Sequence, residues 1–261
     1  MKMLYDTNTL GKKSLEDCAT PKSKLSDEQI NTAQHMLQTQ FPNIGGLMSV
    51  LYSPLADYPQ QTESKWLQII FSPDHWLLVA KGFSKDPDEL VVYDSMQFTT
   101  SGRQQVLAVM SSLVRSEDAD MAYTIAPCQR QASGSNDCGL FAIVFATSLS
   151  FGEDPSTRLY DSQSCRNHLK RCYQEKLLSL FPSTPRKVTR TVEKGVIKQP
   201  VYCHCRRTDN EYARLNLGAS DWEMVQCEKC KEHFHRMCEN YPENPKLIWF
   251  CRLCISCDTK K

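Results

Sequence analysis

The placement of cysteine and histidine in the last quarter of the chain constrains it most tightly. Cys203-x-Cys205, Cys227-x-x-Cys230, His235-x-x-Cys238 and Cys251-x-x-Cys254 follow one another in close pairs. Thiolates a few residues apart can reach one tetrahedral ion, and eight such ligands fill two closed structural sites. Residues 201–254 are too few to bury a sizeable apolar core, so metal must supply much of their folding free energy. Seven of the 13 cysteines belong to this series. The others, scattered before position 200 and at Cys257, fit a reducing, intracellular compartment rather than a disulfide framework.

Composition narrows the alternatives. Lys plus Arg (31) nearly equal Asp plus Glu (30), so overall charge does not point to nucleic acid or an acidic surface. A basic, Pro- and Thr-containing stretch at 183–200, with Arg186, Lys187, Arg190, Lys194 and Lys198, reads as a linker and is the one place for phosphate contact or a nuclear address. Leu140 to Leu149, the longest apolar run, is too short for a membrane span and contains Thr147 and Ser148. Met1 to Lys13 lacks the apolar core of a secretory signal. No internal repeat or low-complexity tract stands out.

Along the chain, 1–23 reads as a frayed, polar start. Ser26 before Asp27 and Glu28 is a helix-start signal, and Ile30, Ala33, Leu37 and Phe41 recur at helical spacing up to Pro42. Three β-rich runs follow, Trp66–Phe71, His75–Phe83 and Glu89–Asp94, separated by turns with Pro73 and Pro87. Residues 103–114 predict a helix, Met121–Cys128 a strand, and 157–181 an amphipathic helix with Leu159, Leu169, Tyr173, Leu177 and Leu180. Between the last two, Asn136-Asp137-Cys138-Gly139 opens a helix apolar on nearly every side, which belongs in a core.

Cys138 stands where a nucleophile is favoured, because the positive end of a helix stabilises thiolate. Asp137 suits an N-cap, and Gly139 leaves room for a substrate backbone. A nucleophilic thiol needs a base and a group to orient that base. His75 opens one strand and Asp94 closes the next, so neighbouring strands would project both from one sheet edge. Gln131 or Gln129, just upstream of Cys138, can supply an oxyanion donor.

Residues 24–182 resemble the ubiquitin-like-protein (SUMO/sentrin-type) cysteine proteases, in a variety found in transposon-derived animal proteins. The motifs are KLSDEQI, the His75-Trp76 of DHWLLVA, Tyr93-Asp94-Ser95, and QRQASGSNDCGLFAIVFA. The resemblance implies an α+β, papain-like cysteine protease fold that cleaves after the C-terminal Gly of a ubiquitin-like modifier. Cys138 is then the nucleophile, His75 the base, Asp94 its orienter and Trp76 a wall of the substrate tunnel. The family's Gln lies six residues before the Cys, where Ala132 stands here; Gln131 implies a one-residue insertion, with Gln129 second. Lys24 replaces the family's other tunnel Trp, and the domain is short. These departures leave a second reading, an inactive protease-fold scaffold.

Residues 201–257 resemble the PHD finger, with four Cys, one His and three Cys and with Trp249 two residues before Cys251. A RING finger places its His earlier and lacks that Trp. The PHD cross-brace implies two structural zinc ions: one on Cys203, Cys205, His235 and Cys238, the other on Cys227, Cys230, Cys251 and Cys254. His204, His233 and Cys257 are spares. The resemblance also implies a histone tail or other peptide as partner. Tyr202 and Met224 match methyl-lysine cage positions, His233 replaces the usual cage Trp, and Trp222 is a substitute.

Overall fold

The computed structural model describes residues 10–72, 74–96, 100–187, 195–209, 223–239, 241–242 and 248–258, with backbone alone at 100–102 and 257–258. Arg190 and Lys194 of the linker, and Trp222, lie outside the described residues, as does the Cys257 side chain. The fold is mixed α+β and divides into two units.

The first unit comprises 1–51, 61–99 and 123–197. Its helices are α1 (Lys12–Ala19) and α2 (Asp27–Gln40), then α4 (Cys138–Ser150) and α5 (Ser162–Glu175). Its strands β1 (Gly45–Gly46), β2 (Trp66–Ser72), β3 (His75–Lys81), β4 (Leu90–Tyr93) and the end of β5 (Asp120–Ile125) lie side by side in chain order. β2, β3 and β4 are antiparallel, while β1 and β5 run parallel to their neighbours.

Residues of α4 from Cys138 to Leu149 are all buried, which is the outcome its uninterrupted apolar sequence demands. It packs on β3 and β2 with α2 and α5 beside it. β2 and β3 are likewise buried at almost every position, so they read as continuous apolar runs rather than alternating ones. α2 begins at the expected place with a capping box: the Gln29 backbone N–H donates to Ser26 Oγ, and the Ser26 N–H returns to Gln29 Oε1 at 2.7 Å.

Three expectations are corrected. The polar start contains a helix, α1, which packs on α5 and buries Cys18; its stabilising contacts are tertiary and leave little trace in local sequence. The helix expected over 157–181 is only α5. Of its apolar positions Leu169 and Tyr173 are buried, but Leu159, Leu177 and Leu180 are exposed, and Lys176 at φ 56 ends the helix. Before it, β6 (Arg158–Tyr160) pairs antiparallel with β7 (Ser183–Pro185), so the first unit continues into the stretch read as linker.

The second unit takes 52–60, 100–122 and 198–261, and includes α3 (Thr100–Leu113), β8 (Ile197–Pro200, from Lys198 on), the hairpin strands β9 (Met224–Gln226) and β10 (His233–His235), and α6 (Arg252–Asp258). Two stretches expected within the protease part therefore group with the cysteine-rich segment. The bonds are specific: Thr208 N–H donates to Ser111 Oγ at 3.3 Å, Arg115 donates to the His204 carbonyl at 2.8 Å, and Arg207 donates to Asp57 and to the Ala56 carbonyl.

Phe145 is fully buried in α4, edge-on to Tyr160 and near Phe141. Phe145→Ala is expected to cost about 3–5 kcal/mol, read as a lower urea midpoint with tryptophan fluorescence. A midpoint unchanged from the parent would contradict the placement of α4 at the centre of the core.

Candidate active site and metal sites

The β3–β4 register places Leu78 opposite Tyr93 and Val79 opposite Val92. With a period of two, His75 and Asp94 then share a face as diagonal neighbours. Their side chains meet there: His75 Nε2 lies 2.6 Å from Asp94 Oδ1, both groups buried. The Met96 backbone N–H donates to the same oxygen at 2.8 Å and steadies the carboxylate. An acidic partner on Nε2 leaves Nδ1 as the ring atom for other work. Nδ1 is buried without a hydrogen-bond partner, while Cys138 is near enough to perturb the ring.

The electrostatics follow from that geometry. Burial works against the imidazolium, but the Asp94 bond and the Cys138 sulfur outweigh it and push His75 up to about 9. Burial also works against the Cys138 thiolate. His75 and the backbone N–H groups of Trp76 and Gly139 outweigh it, so the thiol is held below its ordinary value of 9.0. The two shifts run toward the same state, a thiolate beside an imidazolium. By contrast burial dominates at Cys18 and Cys165, pushing those thiols up to about 11 and about 12.

The remaining expected site residues fall as follows. Gln131 is held on the Asp94 side: its backbone N–H donates to the Ser95 carbonyl, Ser95 Oγ donates to its Oε1, and its Nε2 donates to the Ser135 carbonyl. Gln129 has both ends of its amide tied to the Tyr160 backbone, at 2.6 and 2.9 Å. Trp76 is only 7% exposed; its N–H donates to the Leu25 carbonyl and its ring packs on Phe71 and Gly139. It supports the Cys138 turn from within. The space expected above Gly139 is filled, since a Cβ there would meet Leu25 and Trp76 at 3.1 Å each. Lys24 pairs with Asp74, the residue before His75, at 3.1 Å.

One part of the site left no signal that local pattern reveals. Asp137 occupies the N-cap position of α4 without making a cap bond. Its carboxylate is instead bound by buried Arg166 from α5, at 2.6 and 2.9 Å, and by Ser162 Oγ at 2.9 Å. An Arg on a polar helix predicts a solvated face, and only the tertiary fold turns it inward.

In the second unit the donor atoms gather in two groups, Cys203, Cys205, His235 and Cys238, and Cys227, Cys230, Cys251 and Cys254, each within 4.8 Å. Each group can bind a metal ion. The donor chemistry fits: His235 Nε2 meets the Thr208 carbonyl at 2.7 Å, which fixes the tautomer and leaves Nδ1, 3.3 Å from Cys205 Sγ, as a ligand lone pair. The Cys251 N–H donates to Cys227 Sγ at 3.3 Å, as sulfur ligands commonly receive. Phe234 and Tyr241 pack edge-on to Trp249, forming a small apolar centre with Val225.

Two equivalents of divalent metal are expected per folded chain, released by a thiol-reactive mercurial and counted with a chromogenic chelator. Cys205→Ser and Cys230→Ser should each remove one equivalent. A parent chain that carries none, or variants that still carry two, would refute the assignment of donors.

No known family profile matches the chain, and no curated protein does. Among solved structures it is similar to the SUMO protease Ulp1 with its catalytic cysteine oxidized to a sulfonic acid, at 14% identity over 65% of this chain and 97% of that one, TM-score 0.46. A de-sumoylating protease is similar at 11% identity over 64% and 86%, TM-score 0.44. The Chaetomium thermophilum Ulp1-like SUMO protease catalytic domain is similar at 19% identity over 58% and 71%, TM-score 0.40.

Proposed function

We propose that this chain is a thiol peptidase or isopeptidase that cleaves after the C-terminal glycine of a ubiquitin-like modifier, and that a two-zinc PHD-type finger directs it to a partner. The observation that carries the reading is the placement of His75 between Asp94 and Cys138, with the imidazole raised and the thiol lowered. A buried thiol lowered by a carboxylate-held imidazole is the arrangement nucleophilic catalysis needs.

The steps follow from those atoms. The Cys138 thiolate attacks the carbonyl carbon, and the protonated His75 gives its proton to the departing amine, leaving a thioester. Water then attacks the thioester as His75 takes its proton; the acid is released and the thiolate returns. Asp94 holds the ring orientation and stabilises its charge through both halves. Gln131, held beside Ser95 on the Asp94 side, is assigned to the oxyanion with backbone N–H groups near Cys138; Gln129, tied to the Tyr160 backbone, is assigned to holding the loop. The Lys24–Asp74 pair shapes the approach, while Trp76 backs the Cys138 turn from within. The modifier class rests on the sequence motifs around His75, Asp94 and Cys138.

The interleaved donor sets, first pair with third and second with fourth, support the PHD reading over scattered structural thiols. The finger's β9–β10 edge suits a histone tail or another extended peptide, and a nuclear location follows from that. Tyr202 approaches His233 edge-on at 6.4 Å, so the expected cage position is taken by an imidazole that does not favour methyl-lysine.

Ubiquitin-like modifiers bearing a C-terminal electrophile should form a covalent adduct with the parent chain, absent in Cys138→Ala and slowed about 10²- to 10⁴-fold in His75→Ala. Labelling should hold across neutral pH and decline as pH passes about 9, where His75 loses its proton. If no modifier labels a chain whose Cys138 is still alkylated by iodoacetamide, the scaffold reading replaces this one.

A further inference from the structure

The geometry points to Arg166 as a positioning residue of the thiol site, acting through Asp137 to keep the amino end of α4 open. An Asp at a helix N-cap ordinarily turns its carboxylate onto the first-turn amides. Placed there, an anion would sit on the same N–H groups that stabilise the Cys138 thiolate and that an oxyanion would need. The carboxylate of Asp137 makes no such bond.

Arg166 is what draws it away. Its side chain is 1% exposed, and both Nε and Nη2 donate to Asp137 Oδ1. Ser162 Oγ takes the second carboxylate oxygen. The rest of the guanidinium is spent on backbone: Nη1 on the Cys18 carbonyl at 3.2 Å, and Nη2 on the carbonyls of Ser23 at 2.8 Å and Asn136 at 3.4 Å. One side chain thus fixes the two residues before the sulfur and the chain leaving α1. A planar fork with five donors can satisfy this set; an ammonium cannot.

A buried ion pair is poor evidence of stabilisation, because desolvating both charges offsets their attraction. Its place one residue from the sulfur suggests a different benefit, control of where the carboxylate points. The ionisable groups around the sulfur are then His75, with Asp94 behind it, and the Asp137–Arg166 pair. The inference deepens the peptidase reading, but its central measurement needs no modifier.

The test is the second-order rate of iodoacetamide alkylation at Cys138 in the full chain at pH 7, followed by peptide mass spectrometry. Arg166→Gln and Arg166→Lys should lower it roughly 10- to 100-fold while the circular dichroism spectrum is retained. Asp137→Asn combined with Arg166→Gln should recover most of that loss, since no carboxylate charge remains to return to α4. With modifier substrates, Arg166→Lys should lower kcat per titrated site and leave KM unchanged. Should Arg166→Gln not fold, the lysine and double variants carry the comparison. A lysine variant as reactive as the parent, or a double variant as slow as Arg166→Gln, would overturn the proposal and leave Arg166 a structural staple. If the alkylation pattern holds but no modifier is cleaved, the peptidase reading fails and the positioning role stands.

Discussion

A helix without a polar face has one stable place, the centre of its unit, and α4 imposes that condition on everything around it. From Cys138 to Leu149 no side chain reaches solvent appreciably, so sheet and helices must close around it on all sides. Its first residue is also the site's sulfur. Wrapping the helix therefore fixes that sulfur with the precision of core packing, and leaves only its amino end where polar groups gather. The position of Cys138 is a packing result before it is a chemical one.

Around that end, polar groups are buried in a chain of dependence. Asp94 holds His75, His75 perturbs Cys138, and the Cys138 turn is held from the far side by Asp137 and Arg166. Each group alone would be costly to bury. Nδ1 of His75 and Oδ2 of Asp94 are buried without a hydrogen-bond partner.

Much of this was legible in the sequence, and the boundary is physical. His75, Asp94 and Cys138 sit at ends of strongly apolar segments, so their elements were readable; the register that sets the first two on one face came only with the fold. The eight metal donors were readable because coordination demands a fixed residue type at short spacing. What escaped depends on tertiary contacts: α1 is held by α5, the 157–181 pattern broke because β6 pairs with β7, and Arg166 looks like any solvated arginine until α5 docks. Gln131 and Gln129 are alike in one dimension; in the fold Ser95 and Ser135 hold one amide and the Tyr160 backbone holds the other.

Histidine stands beside cysteine at several places among the described residues, and two of them differ in the atom behind the ring. His75 has a carboxylate on Nε2, which raises the ring's proton affinity and keeps it charged next to a thiolate. His235 has a neutral carbonyl there, from Thr208, which orients the ring and turns Nδ1 toward Cys205 within the four-donor group. The first ring is held beside a single thiol; the second can offer an electron pair to a cation. The same two residue types thus form a thiol–imidazole pair in one unit and part of a four-donor group in the other, with a carboxylate behind one ring and a carbonyl behind the other.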